Sequence, residues 1–230
     1  MNEFFKDSLF FGVVISLIGY EIGLYLKKKL KSALCNPLLI SIVFVIVVLL
    51  VLKIDYASYQ AGGKYLSYLL TPATVCLAVP LYQQLELLKK NWRAVFLSIF
   101  SGVISSLASV LLLSKLFGFT HQQYVTLLPK SITTAIGIGV SEKLDGIVTV
   151  TVILIIITGI LGNVIAETVF KIFGIKEPIA RGLALGTASH AIGTAKAMEL
   201  GQIEGAMSSL SIVVSGILTV IAASFFAQLL

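Results

Sequence analysis

Long apolar runs recur along the chain at the length of membrane-spanning helices, and this pattern restricts the fold more than any other feature. A helix needs about 20 predominantly apolar residues to cross the hydrocarbon core of a bilayer. We place such runs at residues 8–26, 34–52, 64–84, 92–116, 122–141, 146–173, 179–199 and 203–229. No hydrophilic stretch between them is long enough to fold separately. The sequence therefore predicts an all-α, multi-pass protein of the cell membrane, with one transmembrane domain over residues 1–230.

The composition excludes several other classes. Only 12% of the residues are charged and the mean hydropathy is +1.01, whereas a soluble domain has about 25% charged residues. Cys35 and Cys76 have no metal-finger spacing, and no basic run is interleaved with aromatic residues. We expect no metal, no cofactor and no nucleic-acid partner. The first apolar run ends in the lysines of residues 27–31 rather than in a cleavage site, which predicts a retained first span.

Three of the eight segments carry Pro, Gly, Ser and Thr through their middles. Their central sequences are TPATVCLAVP (71–80), PKSITTAIGIG (129–139) and GTASHAIGTAKA (186–197). Each is compatible with a full span, a broken helix or a re-entrant loop.

Interrupted and plain segments alternate, which suggests an internal repeat. Gly102, Gly159 and Gly216 occupy matching positions in the plain helices and are spaced 57 residues apart. The implied units are residues 62–118, 119–175 and 176–230. If every segment crosses the membrane, successive units run parallel; if the interrupted member re-enters, they are inverted. Internal repeats of either kind are typical of transporters.

Basic residues give a near tie on orientation. With eight crossings and the amino terminus outside, eight lysines and arginines face the cytoplasm and seven face outwards. The inner set is Lys27, Lys28, Lys29, Lys31, Lys89, Lys90, Arg93 and Lys143, and the outer set is Lys6, Lys53, Lys64, Lys115, Lys171, Lys176 and Arg181. The dense early clusters favour the inner side, so both termini are predicted to lie outside.

The interrupted segments also predict a binding site. Unpaired backbone groups are costly in lipid unless protein or a water-filled cavity satisfies them, and the start of a half-helix attracts anions. The alternative is that Pro and Gly only kink spanning helices. On the binding reading, the candidate substrate-binding residues are Pro72, Ala73, Thr74, Lys130, Ser131, Thr133, Thr134, Thr187, Ser189, His190 and Thr194.

Two ionisable residues stand out among these candidates. Lys130 lies near the middle of its segment, where a charge is rare and usually functional, unless it extends to the interface. His190 suits proton coupling or a neutral hydrogen bond, although a buried histidine is often a structural group. We find no GxSxG, HExxH or P-loop motif, so no enzyme activity is expected. The small-xxx-small spacing of Ser101, Ser105 and Ser109, of Gly19 with Gly23 and of Gly182 with Gly186 predicts close helix packing. Asn163 is expected to bridge helices.

The sequences TPATVCLAVPLYQQ (71–84), PKSITTAIGIGVSE (129–142) and RGLALGTASHAIGTAKA (181–197) resemble the signature stretches of the LrgB/CidB family, and the resemblance extends along nearly the whole chain. This resemblance implies one of two functions. One is transport of small carboxylates such as pyruvate or glycolate. The other is antiholin- or holin-like modulation of murein hydrolase activity and cell lysis. The family also implies a small LrgA/CidA-type membrane partner. We further expect a homo-oligomer, with a dimer as the simplest case.

Overall fold

A computed structural model describes residues 8, 10–30 and 35–230, apart from the side chain of Thr74. Lys6 and Lys31 of the orientation count, and residues 9 and 34 of the first two predicted segments, lie outside the described residues. Within the described residues the chain contains helices and no strand, which confirms the all-α class. The chain divides into two compact units, Met1–Cys76 and Leu77–Leu230. The prediction of one domain over residues 1–230 stays a prediction.

The amino-terminal unit consists of helices that approach one another closely at glycines. Its helices are α1 (Phe11–Leu30), α2 (Pro37–Val51), α3 (Tyr56–Tyr68) and α4 (Leu70–Cys76). The side chain of Asn36 caps α2 by accepting hydrogen bonds from two backbone N–H groups. Gly19 of α1 lies against Ser41 of α2, and Gly23 lies against Pro37. This antiparallel contact confirms that the spacing of the two glycines reflects helix packing.

The carboxy-terminal unit combines long helices with short ones. Its helices are α5 (Ala78–Gln83), α6 (Leu85–Phe117), α7 (His121–Leu127), α8 (Thr134–Lys143), α9 (Val148–Ile172), α10 (Pro178–Leu200) and α11 (Gln202–Phe226), followed by a 3-10 turn. Among the described residues, the helical stretches long and apolar enough to cross a membrane are Tyr56–Gln83, Leu85–Phe117, Val148–Ile172 and Gln202–Leu229. Several membrane crossings are therefore established.

The predicted segment 122–141 is a re-entrant helical hairpin. Helices α7 and α8 are separated by a break over residues 128–133 that contains Pro129, which has no N–H to continue the helical ladder. Gln122, at the start of α7, donates to the carbonyl of Asp145 at 3.3 Å. Since Asp145 follows α8, the hairpin enters and leaves at the same end of the unit. With 7 and 10 residues, the two arms are about a third and about half as long as a bilayer crossing requires.

The predicted segment 179–199 is a second re-entrant hairpin, formed within α10. The helix is broken at His190, whose backbone has φ 42° and ψ −133°. Gly193 then lies so close to Leu185 that a Cβ on Gly193 would overlap the Leu185 carbonyl oxygen. In one continuous helix these two residues would be about 12 Å apart. The second half of α10 therefore folds back along the first half.

The two hairpins enter the unit from opposite ends. We call one end the His121 end, where α6 finishes and α7 and α9 begin, and the other the Pro178 end, where α9 finishes and α10 and α11 begin. The hydroxyl of Tyr124 donates to the carbonyl of Phe226 at 2.8 Å, so α11 finishes at the His121 end. Each hairpin is followed by one long helix, and the two arrangements are inverted. Thr133, before α8, precedes His190 by the same 57 residues as the glycine pattern.

Re-entry changes the membrane topology that a count of eight crossings implies. The orientation count treats residues 122–141 and 179–199 as crossings, which is wrong because each hairpin returns to its starting side. The third interrupted segment, 64–84, behaves differently. Its helices are separated only by Leu69 and Leu77, and both residues keep right-handed helical dihedral angles. Pro and Gly thus mark all three segments, and the chain reverses direction within residues 122–141 and 179–199.

Close packing at glycines holds the second hairpin against α11. Gly182 lies against the backbone of Glu204, and Gly186 lies against Ser208 and Ser211. These contacts confirm that the spacing of Gly182 and Gly186 reflects helix packing. They also align the first half of α10 parallel to α11, which fixes the position of the hairpin tip relative to α11.

Candidate functional site

The tips of the two hairpins border one cavity inside the carboxy-terminal unit. Its volume is about 760 Å³, within the usual range for small-molecule sites. It is lined by Ser98, Ser101, Gly102, Ser105, Ser106, Ser109, Lys130, Ser131, Thr158, Leu161, Gly162, Ile165, Ala180, Leu183, Ala184, Thr187, Ala188 and Ser189. Two discontinuous helices that enter from opposite sides thus contribute to the same cavity.

Lys130 is the charged side chain of this lining, which contains no carboxylate among the described residues. Its Nζ donates to Ser131 Oγ at 3.0 Å and to Ser106 Oγ at 3.2 Å. These neutral hydroxyls position the ammonium group but leave its charge without a counterion. In a low-dielectric surrounding an uncompensated charge is expensive, so the arrangement favours an anion in the cavity.

Thr187 contributes a hydroxyl that lacks a partner. The residue is 9% exposed, and its Oγ1 has no hydrogen-bond partner within the described part of the chain. Because Thr187 lines the cavity, a polar occupant would satisfy this group. An unpaired buried hydroxyl costs about 1–3 kcal/mol. Gly102 allows α6 to approach Thr187, since a Cβ there would lie 2.9 Å from the threonine methyl carbon.

The second hairpin tip is fastened to α9 by side-chain to backbone hydrogen bonds. His190 Nε2 lies 3.0 Å from the carbonyl oxygen of Ile155. Because a carbonyl only accepts, Nε2 carries the proton in this contact. Asn163 donates to the carbonyl of Ile192 at 2.9 Å, which confirms that Asn163 bridges helices. Gly159 and Gly162 leave room for His190 and Ser189 respectively.

The structure brings together only part of the predicted site. Lys130, Ser131, Thr187 and Ser189 line the cavity, whereas Thr133, Thr134, His190 and Thr194 do not. Thr194 Oγ1 instead donates to the carbonyl of His190 and contacts Ser208 Oγ at 2.7 Å. His190 faces α9, so the geometry gives it a positioning role, and its proton-coupling role stays a prediction.

The remaining candidates belong to the amino-terminal unit. Pro72 and Ala73 are exposed residues of α4, and the side chain of Thr74 lies outside the described ones. Their part in substrate binding stays a prediction.

Sequence reasoning missed most of the lining contributed by α6 and α9. Ser101, Ser105 and Ser109 follow a spacing that predicts helix packing, but the structure places them along the cavity. Ser106 was missed although it holds Lys130, and Thr158 was missed on α9. The available signal was the number of hydroxyls on one helix, because lipid-facing helices seldom carry so many polar side chains.

Comparison with known proteins identifies relatives over almost the whole chain. The sequence model of the LrgB-like family matches residues 16–229. The chain is 39% identical over 219 residues to the holin-like protein CidB of Staphylococcus epidermidis, covering 95% of each chain. It is 39% identical over 218 residues to the antiholin-like protein LrgB of Bacillus mycoides, covering 94% of this chain and 95% of the relative. No solved structure matches.

Proposed function

Since the chain belongs to the LrgB-like family and is a multi-pass bacterial membrane protein, we propose that it moves small carboxylates across the cell membrane. Pyruvate and glycolate represent the substrate class. The route is the cavity between the two hairpin tips. A small LrgA/CidA-type membrane protein is the proposed partner, in keeping with the holin-like and antiholin-like names of the relatives.

The observation that carries this proposal is Lys130 in a hydroxyl-rich cavity whose described lining has no other charged side chain. Lys130 is held by two serine hydroxyls, and Thr187 offers a hydroxyl without a partner among the described residues. A carboxylate needs an opposite charge and hydrogen-bond donors, and these groups supply both. Apolar Leu161, Ile165 and Leu183 complete the wall, which suits a substrate with a short hydrocarbon part.

The inverted hairpins support transport in preference to a fixed binding role. Transporters place their substrate between inverted repeats, near the membrane midplane, at discontinuous helices. Here Ser131 and Ser189 bring the two hairpin tips to one cavity from opposite ends. A structure built on two inverted halves can open to either side by moving one half against the other.

The distribution of basic residues supports an orientation for the carboxy-terminal unit. Once the hairpins re-enter, seven basic residues lie at the Pro178 end and two at the His121 end. The first set is Lys89, Lys90, Arg93, Lys171, Lys176, Arg181 and Lys196, and the second is Lys115 and Lys143. Because loops rich in Lys and Arg stay inside, the Pro178 end is cytoplasmic. The eight-crossing count divides the basic residues that it includes from this unit four to four.

The cavity reaches towards that cytoplasmic end. Ala180, which belongs to its lining, is two residues after the start of α10. Ser109 is the lining residue of α6 nearest the His121 end, and it lies eight residues before the end of that helix. The first hairpin, with buried Tyr124 and Leu128, lies on the His121 side. We take this approach of the lining to the Pro178 end along α10 as support for loading from the cytoplasm.

The names of the relatives favour a second function, modulation of cell lysis. Holin-like CidB and antiholin-like LrgB are both 39% identical to this chain. In this hypothesis the protein changes membrane permeability or murein hydrolase activity through partner binding, and the cavity binds no substrate. A pore requires no Lys130 held at the tip of a hairpin, so the two functions make different predictions.

Flux through reconstituted vesicles tests the proposal. Purified protein, with and without the partner, is placed in liposomes, and uptake of labelled pyruvate is compared with uptake of its neutral amide. Ser105→Phe adds a bulky side chain to the cavity lining, and Ala108→Phe adds the same side chain to an exposed position of α6 outside the lining. Trapped calcein reports any large pore.

We expect saturable pyruvate uptake, little uptake of the amide, and loss of flux in Ser105→Phe but not in Ala108→Phe. Calcein should stay inside the vesicles. Calcein release without selective pyruvate uptake would favour the holin-like function. Equal flux in both phenylalanine variants would exclude this cavity as the route.

A further inference from the structure

A second pocket lies at the Pro178 end, between the end of α9 and the start of α10. Its volume is about 360 Å³. It is lined by Glu167, Phe170, Lys171, Gly174, Ile175, Lys176, Arg181 and Leu200. None of these residues lines the larger cavity, so the pocket is separate from the proposed carboxylate site.

Three cations dominate this pocket. Lys171, Lys176 and Arg181 form no ion pair within the part of the chain that the structure describes. The carboxylate of the lining, Glu167, is paired with Lys196, which Glu199 also contacts at 3.4 Å. The described lining therefore holds three positive charges and one negative charge, which favours the binding of an anion.

Arg181 is held in place before any ligand arrives. Its Nε donates to the carbonyl of Ile175 at 2.8 Å, and its guanidinium carbon lies 5.7 Å from the centre of the Phe170 ring. A guanidinium fixed by a carbonyl and an aromatic face loses little entropy when it binds an oxyanion, and its fork of N–H groups matches phosphate geometry. The two flexible lysines add charge beside it.

The position of the pocket indicates which oxyanion is within reach. It lies where the long apolar helix α9 ends, and the neighbouring Ile172 and Phe173 are 71% and 74% exposed. Large apolar side chains next to cations at a helix end are typical of the bilayer interface, where anionic headgroups attract clustered basic residues.

We propose that Lys171, Lys176 and Arg181 bind the phosphate of an anionic phospholipid headgroup in the cytoplasmic leaflet. The acyl chains would lie along the exposed apolar end of α9. This binding site goes beyond the proposed carboxylate transport and does not depend on it. An inorganic phosphate ion has the same charge chemistry but no acyl chains, so a test must separate the two sources.

Lipid binding to purified protein in neutral detergent provides this test. Phosphatidylglycerol, phosphatidylcholine and inorganic phosphate are titrated separately, and bound lipid is counted by native mass spectrometry. The test variant is Lys171→Gln/Lys176→Gln, which changes two exposed side chains and retains Arg181. The matched control is Lys115→Gln/Lys143→Gln, which removes the same charge at the His121 end.

We expect wild type and control to bind phosphatidylglycerol in preference to phosphatidylcholine. Each basic residue near an anionic surface contributes about 1 kcal/mol, so the double variant should bind phosphatidylglycerol about 30-fold more weakly, at 1.4 kcal/mol per tenfold change. Arg181→Gln should weaken binding further. Unfolding in phosphatidylcholine should be the same for wild type and the two double variants.

Two results would overturn the proposal. If wild type binds both lipids equally, or if the two double variants lose phosphatidylglycerol to the same extent, the pocket is not a headgroup site. If millimolar inorganic phosphate displaces phosphatidylglycerol and protects the protein equally well, the ligand is a free phosphate rather than a lipid.

Discussion

Removing the charge of Lys130 tests the proposed binding site most directly. Lys130→Gln keeps a long polar side chain that can still contact Ser106 and Ser131 but supplies no positive charge. The cavity lining has no other charged side chain among the described residues. A hydrogen bond to a charged group contributes about 1.5–3 kcal/mol. We therefore expect carboxylate binding to weaken about 10- to 150-fold, at 1.4 kcal/mol per tenfold change.

The stability of the fold should be unchanged or higher in Lys130→Gln, although carboxylate binding is weaker. An ammonium group at the middle of a membrane segment costs about 2.5–3.5 kcal/mol on insertion scales, and Lys130 has only neutral hydroxyl partners in the structure. Lys130→Gln should therefore unfold at the same temperature as wild type or at a higher one. A residue that binds substrate at the expense of stability shows this combination, whereas a structural residue does not.

Equilibrium binding of labelled pyruvate to detergent-purified protein gives the affinity, and a thermal unfolding midpoint gives the stability. Lys143→Gln is the matched control, because Lys143 is an exposed residue at the far end of the same hairpin. Lys130→Arg keeps the charge and should retain most of the affinity. Binding by Lys130→Gln within twofold of wild type would refute the assignment of Lys130 as the carboxylate partner.

Further predictions concern packing, topology and the second hairpin. Gly186→Ala should lower the unfolding midpoint, because the added Cβ would overlap the Ser208 carbonyl and overpacking costs about 1–3 kcal/mol; Gly139→Ala, with open space around it, should not. In a background without native cysteines, an impermeant maleimide should label Ala180→Cys from the cytoplasm and Phe119→Cys from outside, and the reverse would invalidate the orientation. His190→Ala should lower the unfolding midpoint, since the hydrogen bond to Ile155 is lost; an unchanged midpoint with loss of proton-driven flux would favour the proton-coupling role instead.

The interrupted segments show how far local sequence determines this fold. Proline and glycine marked residues 122–141 and 179–199 as discontinuous, and the structure has a break at residues 128–133 and at His190. The same signal in residues 64–84 accompanies helices separated by single residues. Local composition reports where a helix is weak, but the direction after the break depends on which neighbouring helix the next half packs against.

The sequence also identifies some residues of the candidate site and not others. Lys130, Ser131, Thr187 and Ser189 were identified because polar groups at membrane depth require a reason. His190 and Thr194 met the same criterion, but their hydrogen bonds fasten the second hairpin instead. The sequence does not single out Ser106 and Thr158, because each lies within a plain apolar helix. Their polar function depends on the residues that lie next to them in the fold.

The sequence by itself determined that this protein lies in a membrane, that it is helical, and where its helices are interrupted. These properties follow from hydropathy, which depends on composition within a window of residues, and from the backbone chemistry of proline and glycine. Tertiary structure decided that two segments turn back, that they enter from opposite ends, and that Lys130 contacts the hydroxyl of Ser106 on α6. Such contacts join residues far apart in the chain, and their geometry depends on close packing at glycines such as Gly102, Gly162 and Gly193, which no local pattern specifies.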